Sequence, residues 1–436
     1  MFTSLQRVNN YLFDLVNGGV FRLFIVVFFV YTLNSSVHSS TDTLPTQLTA
    51  VSLLKEHDFD LNEFEHSDFG VPLNELNTVN VSGRLLSLHS VFPAVLALPF
   101  YLFFMLTGDS LESVYSVFAP AVLFSVCVSA LSVVFLYLAL KKITDDRKAL
   151  YCSLIYAFGT CTWSVSSQEL WQHGPSQMFL AASIYLLIRG FKEGRFTVYS
   201  GFTLACAVAT RPPNLVIFLV LMAYVFINKR PYFARFIFYA LPPFLFVFAY
   251  SWIYFHSILM FGQGNNPLEK WTTPMLRGLV GLLFSPSKGL FVYSPVLLLS
   301  IFGVYLMWKK HNAFFKYLAV SMFAAMLLPS KWYEWHGGLG YGYRLLVDLT
   351  PMLCLFLVPV LEEYLNKRWF KVLLILLVAY SVVVQVVGVF FFDSSWEEEA
   401  NCRFHLLNDH PCLWSINGSQ LLYYFKKAVG IILNII

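Results

Sequence analysis

Three ionisable side chains lie in short polar passages of an otherwise apolar chain, and their types suit proton transfer. Asp42 follows a hydroxyl-rich stretch, and Glu169 and His173 are four residues apart. Residues at that spacing face the same way on a helical turn. A partly desolvated carboxylate can act as a general base toward a hydroxyl group. These three residues are therefore the candidate catalytic groups, although Asp42 or Thr43 is equally well placed to be the N-cap of a helix.

Four basic residues lie where they could bind a phosphate group. Arg344 ends the passage KWYEWHGGLGYGYR, and Lys288 lies in the turn SPSKGL, whose backbone amides also suit an anion. Arg84 precedes an apolar run, and Arg211 interrupts another. Because a guanidinium can grip a phosphate with two hydrogen bonds, Arg344 is the first choice. For Arg84, snorkelling of the side chain to a membrane interface explains the position equally well.

The passage before Arg344 combines aromatic rings with four glycines. Its rings are typical of sugar-binding sites, and an aromatic belt at a membrane boundary explains them as well. That belt explains neither the glycines nor Arg344. The candidate sugar-binding or acceptor-binding residues are Trp332, Glu334, Trp335, His336, Tyr343 and His89.

Two further patterns leave more than one interpretation open. Asp58 and Asp60 form an Asp-x-Asp motif that in some sugar-transferring enzymes holds a divalent metal, but neighbouring acids favour a solvated acidic loop. The sequence therefore allows a divalent metal without indicating one, and it predicts no other cofactor. Cys402 and Cys412 are either a disulfide on an oxidising side of a membrane or two free thiols.

The composition places these residues in a membrane protein. The chain has 436 residues, of which 58% are hydrophobic and only 12% charged, against about a quarter charged in soluble domains. A water-soluble globule is therefore excluded. The net charge of +4 and the lack of long basic runs argue against a nucleic-acid partner.

Twelve apolar runs are long enough to be considered as membrane segments. Basic residues recur at every second connection, which indicates that these connections are cytoplasmic. Consecutive spans alternate in direction, so a crossing by segment 89–107 would leave the basic N-terminal segment outside. We therefore expect that this segment, broken by prolines, does not cross the membrane. The runs are 20–37, 89–107, 115–140, 149–165, 176–190, 198–210, 212–228, 236–258, 291–308, 314–330, 345–361 and 369–392.

The count of crossings then predicts eleven transmembrane helices with the N-terminus in the cytoplasm. Residues 1–392 form the polytopic domain, in which 38–113 is the first external loop. Residues 393–436 form an external loop and a C-terminal helix lying in the interface, because lysines occupy the middle of that last apolar stretch. The candidate site residues then gather on the external face of the plasma (inner) membrane.

Together these passages resemble polytopic glycosyltransferases of the C-type fold, related to the protein O-mannosyltransferases and the lipid A aminoarabinose transferases. The passages around Arg344 and Lys288 look like motifs of an uncharacterised bacterial branch. The resemblance implies an all-helical membrane bundle whose first external loop carries juxtamembrane helices and an acid, here Asp42. Where the mannosyltransferases have an aspartate-glutamate pair, this chain has Asp42 and Thr43.

The resemblance also implies an activity. A sugar would move with inversion from a polyprenyl-phosphate donor to a hydroxyl of a glycan, lipid or protein acceptor, with Asp42 as base and Arg344 at the leaving phosphate. Two other functions are a transporter or flippase of a lipid-linked or small anionic solute, and a non-catalytic membrane assembly factor. A transporter would be expected to show inverted repeats and polar residues in mid-span, which this sequence lacks.

Overall fold

The computed structural model describes residues 18–34, 40–65, 76–257, 270–309, 312–399 and 411–435, and most of these are helical. The α-helices, numbered α1 to α19 in chain order, are Gly19–Tyr31, Leu44–Lys55, Phe92–Leu106, Val114–Leu140, Asp146–Phe158, His173–Arg189, Arg195–Thr210, Leu215–Asn228, Phe233–Phe255, Met275–Phe284, Leu290–Tyr293, Leu298–Lys309, Ala313–Ser330, Thr350–Leu355, Val358–Tyr364, Arg368–Phe391, Ser395–Glu399, Pro411–Trp414 and Gln420–Ile435.

Shorter elements join these helices. A π-helical turn follows α5 at Thr162–Ser166, and one antiparallel hairpin pairs β1, Thr78–Val81, with β2, Arg84–Ser87. The 3₁₀ turns are Asn62–Phe64, Pro212–Asn214, Arg230–Tyr232, Pro295–Leu297 and Arg344–Leu349.

Several helices are long and apolar enough to cross a membrane, so the chain is a multi-pass membrane protein. Among the described residues, four helical stretches meet this requirement: Val114–Leu140, Arg230–Phe255, Ala313–Ser330 and Arg368–Phe391. The pair Arg344–Leu355 and Val358–Tyr364, bent by 40°, makes a fifth. The predicted number of eleven spans is not confirmed, because the other apolar helices have 10–17 residues. At 1.5 Å per residue they cover about 15–26 Å of a hydrocarbon core of about 30 Å.

One of the predicted irregularities is present in the fold, whereas the predicted break at the prolines of 89–107 is not. The run 198–228 breaks at Arg211, whose extended backbone precedes the turn Pro212–Asn214. Segment 89–107 folds as α3, which has 15 residues, or about 22 Å of helix. Helix α3 packs with α2 and α4 around a small hydrophobic core of its own. Its predicted position in the outer interface remains a prediction.

The larger hydrophobic core joins most of the other helices. Helix α6 packs between α4 and α7, and α7 packs against α9. Small residues allow these close approaches: a Cβ atom added at Gly201 would lie 2.1 Å from the backbone oxygen of Phe236. The candidate residues lie at the ends of helices and on the connections between them: the stretches 40–43 and 84–89, the turn 167–173, the break at Arg211, the turn 285–289 and the stretch 331–344.

Candidate active site

Asp42 lies in the turn before α2 and makes contacts with three distant residues. Its Oδ2 accepts a hydrogen bond from Nη1 of Arg344, and its Oδ1 accepts one from Nδ2 of Asn77. The Nε2 atom of His89 lies 3.5 Å from the same Oδ1. The N-cap of α2 is Thr43, which makes no side-chain capping bond. Of the two predicted N-cap candidates, Thr43 is therefore the N-cap and Asp42 is not. Asp42, Arg344 and His89 together form what we call the Asp42 trio.

The charge of Arg344 dominates the electrostatics of the trio. Burial alone would raise the pKa of Asp42, but the guanidinium of Arg344 and the contact with His89 together hold this pKa well below its usual range. The guanidinium also lies over the ring of Trp171, with its Cζ atom 4.5 Å from the ring centroid. Among the described residues, no hydrogen-bond partner contacts its Nε atom. Arg344 thus has one buried donor that none of the described residues uses.

The glycine loop, residues 337–342, encloses the side chain of Arg344. Gly337, Gly338 and Gly342 have φ angles of +80°, +59° and +55°, a region that favours glycine. A Cβ atom added at Gly340 would lie 2.7 Å from Cδ of Arg344. The glycines therefore let the backbone bend tightly around the guanidinium.

Lys288 supports this loop. Its buried ammonium donates hydrogen bonds to the carbonyl oxygens of Gly340 and, at 3.1 Å, Gly338. Burial lowers its pKa to about 8, although the carboxyl of Glu397 opposes this shift. Carbonyl oxygens occupy the amine in this arrangement, so Lys288 holds the loop beside Arg344. Its predicted contact with a phosphate remains a prediction.

The last helix also contacts the glycine loop. Oε1 of Gln420 accepts hydrogen bonds from the backbone N–H of Gly342, at 3.0 Å, and from the hydroxyl of Tyr293, also at 3.0 Å. Gln420 is fully buried. The C-terminal helix α19 therefore helps to fix the loop that carries the site.

Glu169 lies close to the Asp42 trio, in the turn before α6. Its Oε2 accepts hydrogen bonds from the hydroxyl of Thr43 at 2.7 Å and the backbone N–H of Ser40 at 3.1 Å. Burial raises the pKa of Glu169 to about 7, although these bonds and the charge of Arg344 oppose the shift. Glu169 also lines a cavity of about 180 Å³. The predicted carboxylates Asp42 and Glu169 thus lie near one arginine.

Two other predicted residues form a separate cluster. Nδ1 of His173 lies 3.2 Å from Oδ1 of Asp348, and Nη1 of Arg211 donates to Oδ2 of the same carboxylate. Arg211 also donates to the carbonyl of Leu345 at 3.3 Å. We call Asp348, Arg211 and His173 the Asp348 trio. Asp348 is not among the residues predicted from the sequence, although a lone acid inside an apolar run is a signal for it.

Three of the predicted residues lie away from the Asp42 trio. Arg84 is exposed on the β-hairpin, with its Cζ atom 5.5 Å from the ring centroid of Tyr254. Trp335 is fully buried, with its ring close to Gly281. Tyr343 is 1% exposed, and its hydroxyl accepts a bond from the N–H of Cys161 at 3.0 Å. Because Trp335 and Tyr343 pack in the core, neither ring offers a face to a sugar.

The remaining predicted residues of the aromatic passage, Trp332, Glu334 and His336, precede the glycine loop in the chain. The ring of Trp332 contacts that of Trp271, with the centroids 5.5 Å apart, and Glu334 is half-buried. Nδ1 of His336 accepts a hydrogen bond from the N–H of Gly338 at 3.2 Å. Burial and the charges of Lys288 and Arg344 lower the pKa of His336 to about 3. His336 is therefore neutral at pH 7.

The Asp-x-Asp motif has a local structural role. Oδ1 of Asp58 accepts hydrogen bonds from the hydroxyl of Ser52 at 3.0 Å and the N–H of Asp60 at 3.1 Å. Within the ranges that the structure describes, no group of three His, Cys, Asp or Glu residues is arranged to hold a metal ion. Cys402 lies outside the described residues, so its pairing with Cys412 remains a prediction.

Comparison with known proteins gives matches to glycosyltransferases. Residues 92–255 match the profile of the dolichyl-phosphate-mannose-protein mannosyltransferase family. The fold is similar to that of an oligosaccharyltransferase from Archaeoglobus fulgidus tethered to an acceptor peptide, with a TM-score of 0.51 and 13% identity over 89% of this chain and 57% of that one. The chain has a C-type glycosyltransferase fold.

Two further structures of the archaeal enzyme are also similar. The apo form has a TM-score of 0.47 and 13% identity over 90% of this chain and 58% of that one. The complex with an inhibitory peptide and a dolichol-phosphate has a TM-score of 0.46 and 13% identity, covering 91% and 59% of the two chains. The chain therefore spans just over half the length of these solved structures. No curated protein sequence matches it.

Proposed function

We propose that this protein is a glycosyltransferase that moves a sugar from a polyprenyl-phosphate donor to an acceptor hydroxyl on the outer face of the membrane. The fold supports this assignment, and so does the match of residues 92–255 to a family named for dolichyl-phosphate-mannose. The acceptor is a glycan, a lipid or a protein.

The observation that carries the proposal is the state of Arg344. Its guanidinium is mostly buried, bonded to Asp42 across 302 positions of sequence and placed over Trp171, while Nε has no hydrogen-bond partner among the described residues. A buried guanidinium with a spare donor suits a phosphate, since charge-assisted bonds of this kind are strong and directional.

The chemistry follows from the charges at the site. The acceptor oxygen attacks the anomeric carbon while the bond from that carbon to the phosphate oxygen breaks, which inverts the configuration. The leaving phosphodiester becomes a phosphomonoester dianion, and Arg344 stabilises the added charge. Asp42, predicted from the sequence to be the base, instead keeps the guanidinium in position, because Arg344 and Asn77 occupy its two oxygens. A second carboxylate near Arg344 takes the acceptor proton.

The proposal is tested by transfer from defined donors. Purified protein in lipid nanodiscs is incubated with radiolabelled polyprenyl-phosphate sugars and candidate acceptors, and labelled product is separated from donor lipid. We expect transfer by the wild type and a loss of about 10²-fold or more in Asp42→Asn, because the guanidinium loses its orienting charge.

Asp146→Asn is the matched control. Asp146 pairs with Lys141 at 3.1 Å, and 68% of its side chain is exposed. This variant should transfer at the wild-type rate. Movement of donor lipid across proteoliposomes without a glycosylated product would instead favour a flippase, and full turnover in Asp42→Asn would contradict the proposed site.

A further inference from the structure

The cavity next to Glu169 has the size and lining of a site for one sugar ring. Its volume is about 180 Å³, somewhat above the roughly 150 Å³ cavity that takes up benzene in another protein. Asn34 and Gln168, whose amides are bonded to each other at 2.8 Å, line the cavity, and so do Trp171 and Phe392. Rings with a few fixed polar groups are typical of small-molecule sites.

The two carboxylates differ in the oxygens that they leave for a ligand. Both oxygens of Asp42 are engaged, one by Arg344 and the other by Asn77, and Asp42 does not line the cavity. Glu169 does line it, and both of its hydrogen bonds end on Oε2. Within the described part of the chain, Oε1 accepts no hydrogen bond. Glu169 is thus the carboxylate with a free oxygen at the cavity.

The cavity is adjacent to the guanidinium proposed to bind the donor. Trp171 and Gly340 both line the cavity and both contact the side chain of Arg344. A ring in the cavity would therefore be next to a phosphate on Arg344. This is the arrangement that an acceptor needs, since its hydroxyl must reach the sugar carbon attached to that phosphate.

We infer that this cavity binds the acceptor as a single sugar ring or a polyol of similar size, and that Glu169 is the general base for its hydroxyl. The inference rests on the proposed function and adds the acceptor site to it. Glu169 takes the hydroxyl proton as the acceptor oxygen bonds to the anomeric carbon, and the electrons of the broken bond leave with the polyprenyl phosphate.

The pKa shifts of the two carboxyl groups agree with Glu169 as the base and Asp42 as the residue that positions Arg344. Burial raises the pKa of Glu169 to about 7, whereas Arg344 keeps Asp42 ionised. A base works best when its pKa is close to the working pH. We expect kcat to fall as the pH decreases below about 7. The charged groups near Glu169 are those of the Asp42 trio and Asp393, which lines the same cavity and pairs with Lys427. His173, four residues further along the chain, pairs with Asp348.

The first test separates chemistry from donor binding. Transfer kinetics and the Kd for polyprenyl phosphate are measured in nanodiscs. Glu169→Gln should lower kcat by about 10² to 10⁴-fold with an unchanged Kd. Glu169→Asp should recover part of the rate, and the pH at which kcat falls should shift. A purely structural role would not shift that pH. Glu112→Gln, at a side chain 74% exposed, is the control and should behave as wild type.

The second test does not depend on transfer. A hydrophobic carbodiimide, which reacts with protonated carboxyl groups, is applied at pH 6, and labelling is mapped by mass spectrometry. Glu169 should react, Asp42 should not, and methyl glycosides should protect Glu169. Val389→Phe, which narrows the cavity at a lining residue, should abolish protection and raise the acceptor KM. Thermal unfolding verifies that each variant is folded.

The outcomes separate the two proposals. Wild-type kcat in Glu169→Gln, or transfer without glycoside protection of Glu169, would overturn this inference and leave the proposed function intact. Protection of Glu169 without transfer from any polyprenyl-phosphate sugar would overturn the proposed function and the role of Glu169 as base, while supporting the cavity as a polyol site.

Discussion

The Asp42 trio and the Asp348 trio contain the same three residue types in different surroundings. The side chains of the Asp42 trio are 18%, 13% and 26% exposed for aspartate, arginine and histidine, against 1%, 12% and 6% in the Asp348 trio. The first joins loops next to a cavity and leaves a guanidinium donor unused. The second ties α6 to the turn Arg344–Leu349 and to the break before α8. The comparison shows that accessible volume and unused hydrogen-bonding groups, rather than residue types, mark the candidate site.

The largest expected difference is between the two arginines. Arg344→Ala should reduce transfer per folded molecule by about 10² to 10³-fold, because it removes the donor that stabilises the leaving phosphate. Arg211→Ala should lower the amount of folded protein but leave the turnover of folded molecules near wild type. Turnover is normalised to the monodisperse fraction from size-exclusion chromatography. An equal loss of normalised turnover in both variants would remove the distinction between the trios.

The two aspartates should differ in stability. Asp348→Asn should destabilise the fold strongly, since removing one member of a buried ion pair typically costs about 3–5 kcal/mol. Asp42→Asn should cost less because its side chain is more exposed and keeps its contact with Asn77. Thermal unfolding in one detergent measures both variants. A larger loss for Asp42→Asn would make the Asp42 trio the structural one.

The pH dependence of stability tests the surroundings of Glu169. Its pKa is raised from 4.5 to about 7, so the folded state binds this proton more tightly than the unfolded state. That stabilisation is complete below about pH 4.5 and is lost as the pH rises through 7. The unfolding temperature of wild type should therefore fall relative to Glu169→Gln between pH 5 and pH 8. A constant difference over this range would mean that Glu169 is not desolvated.

The smallest effect is expected at Arg84, outside both trios. Arg84→Ala should leave transfer unchanged and shift stability by no more than about 1 kcal/mol, the usual size of an exposed cation–π contact. The same transfer and unfolding assays apply. A tenfold loss of transfer would add Arg84 to the Asp42 trio as a phosphate contact, as the sequence predicts.

The sequence predicts the residues of the site better than their partners. Asp42 and Arg344 were expected in one site, and they are bonded. Charges are costly near apolar segments, so their positions in the sequence are informative. Asn77 and the support by Lys288 were missed because pairing depends on how loops fold over one another. Trp335 is predicted to bind a sugar, but it is buried in the core. An aromatic residue in a glycine-rich passage suits a sugar site and a hydrophobic core equally well, so the sequence does not distinguish them.

The sequence also predicts some of the helices correctly and others not. The apolar runs 115–140 and 369–392 correspond to long helices, α4 and α16. The runs 149–165 and 291–308 were each expected to be one span, but α5 ends at Phe158 before the π-helical turn, and α11 ends at Tyr293 before Pro295. Hydropathy responds to apolar content and does not detect such breaks, which depend on backbone conformation.

The contact of Gln420 with the glycine loop has a consequence for biosynthesis. The loop around Arg344 is not fully fixed until residue 420 has left the ribosome and α19 has packed against the loop. A nascent chain that ends after Arg344 and before Gln420 contains Asp42, Glu169 and Arg344 but lacks this contact. The proposed site is therefore expected to reach its full order only after α19 has packed onto the loop.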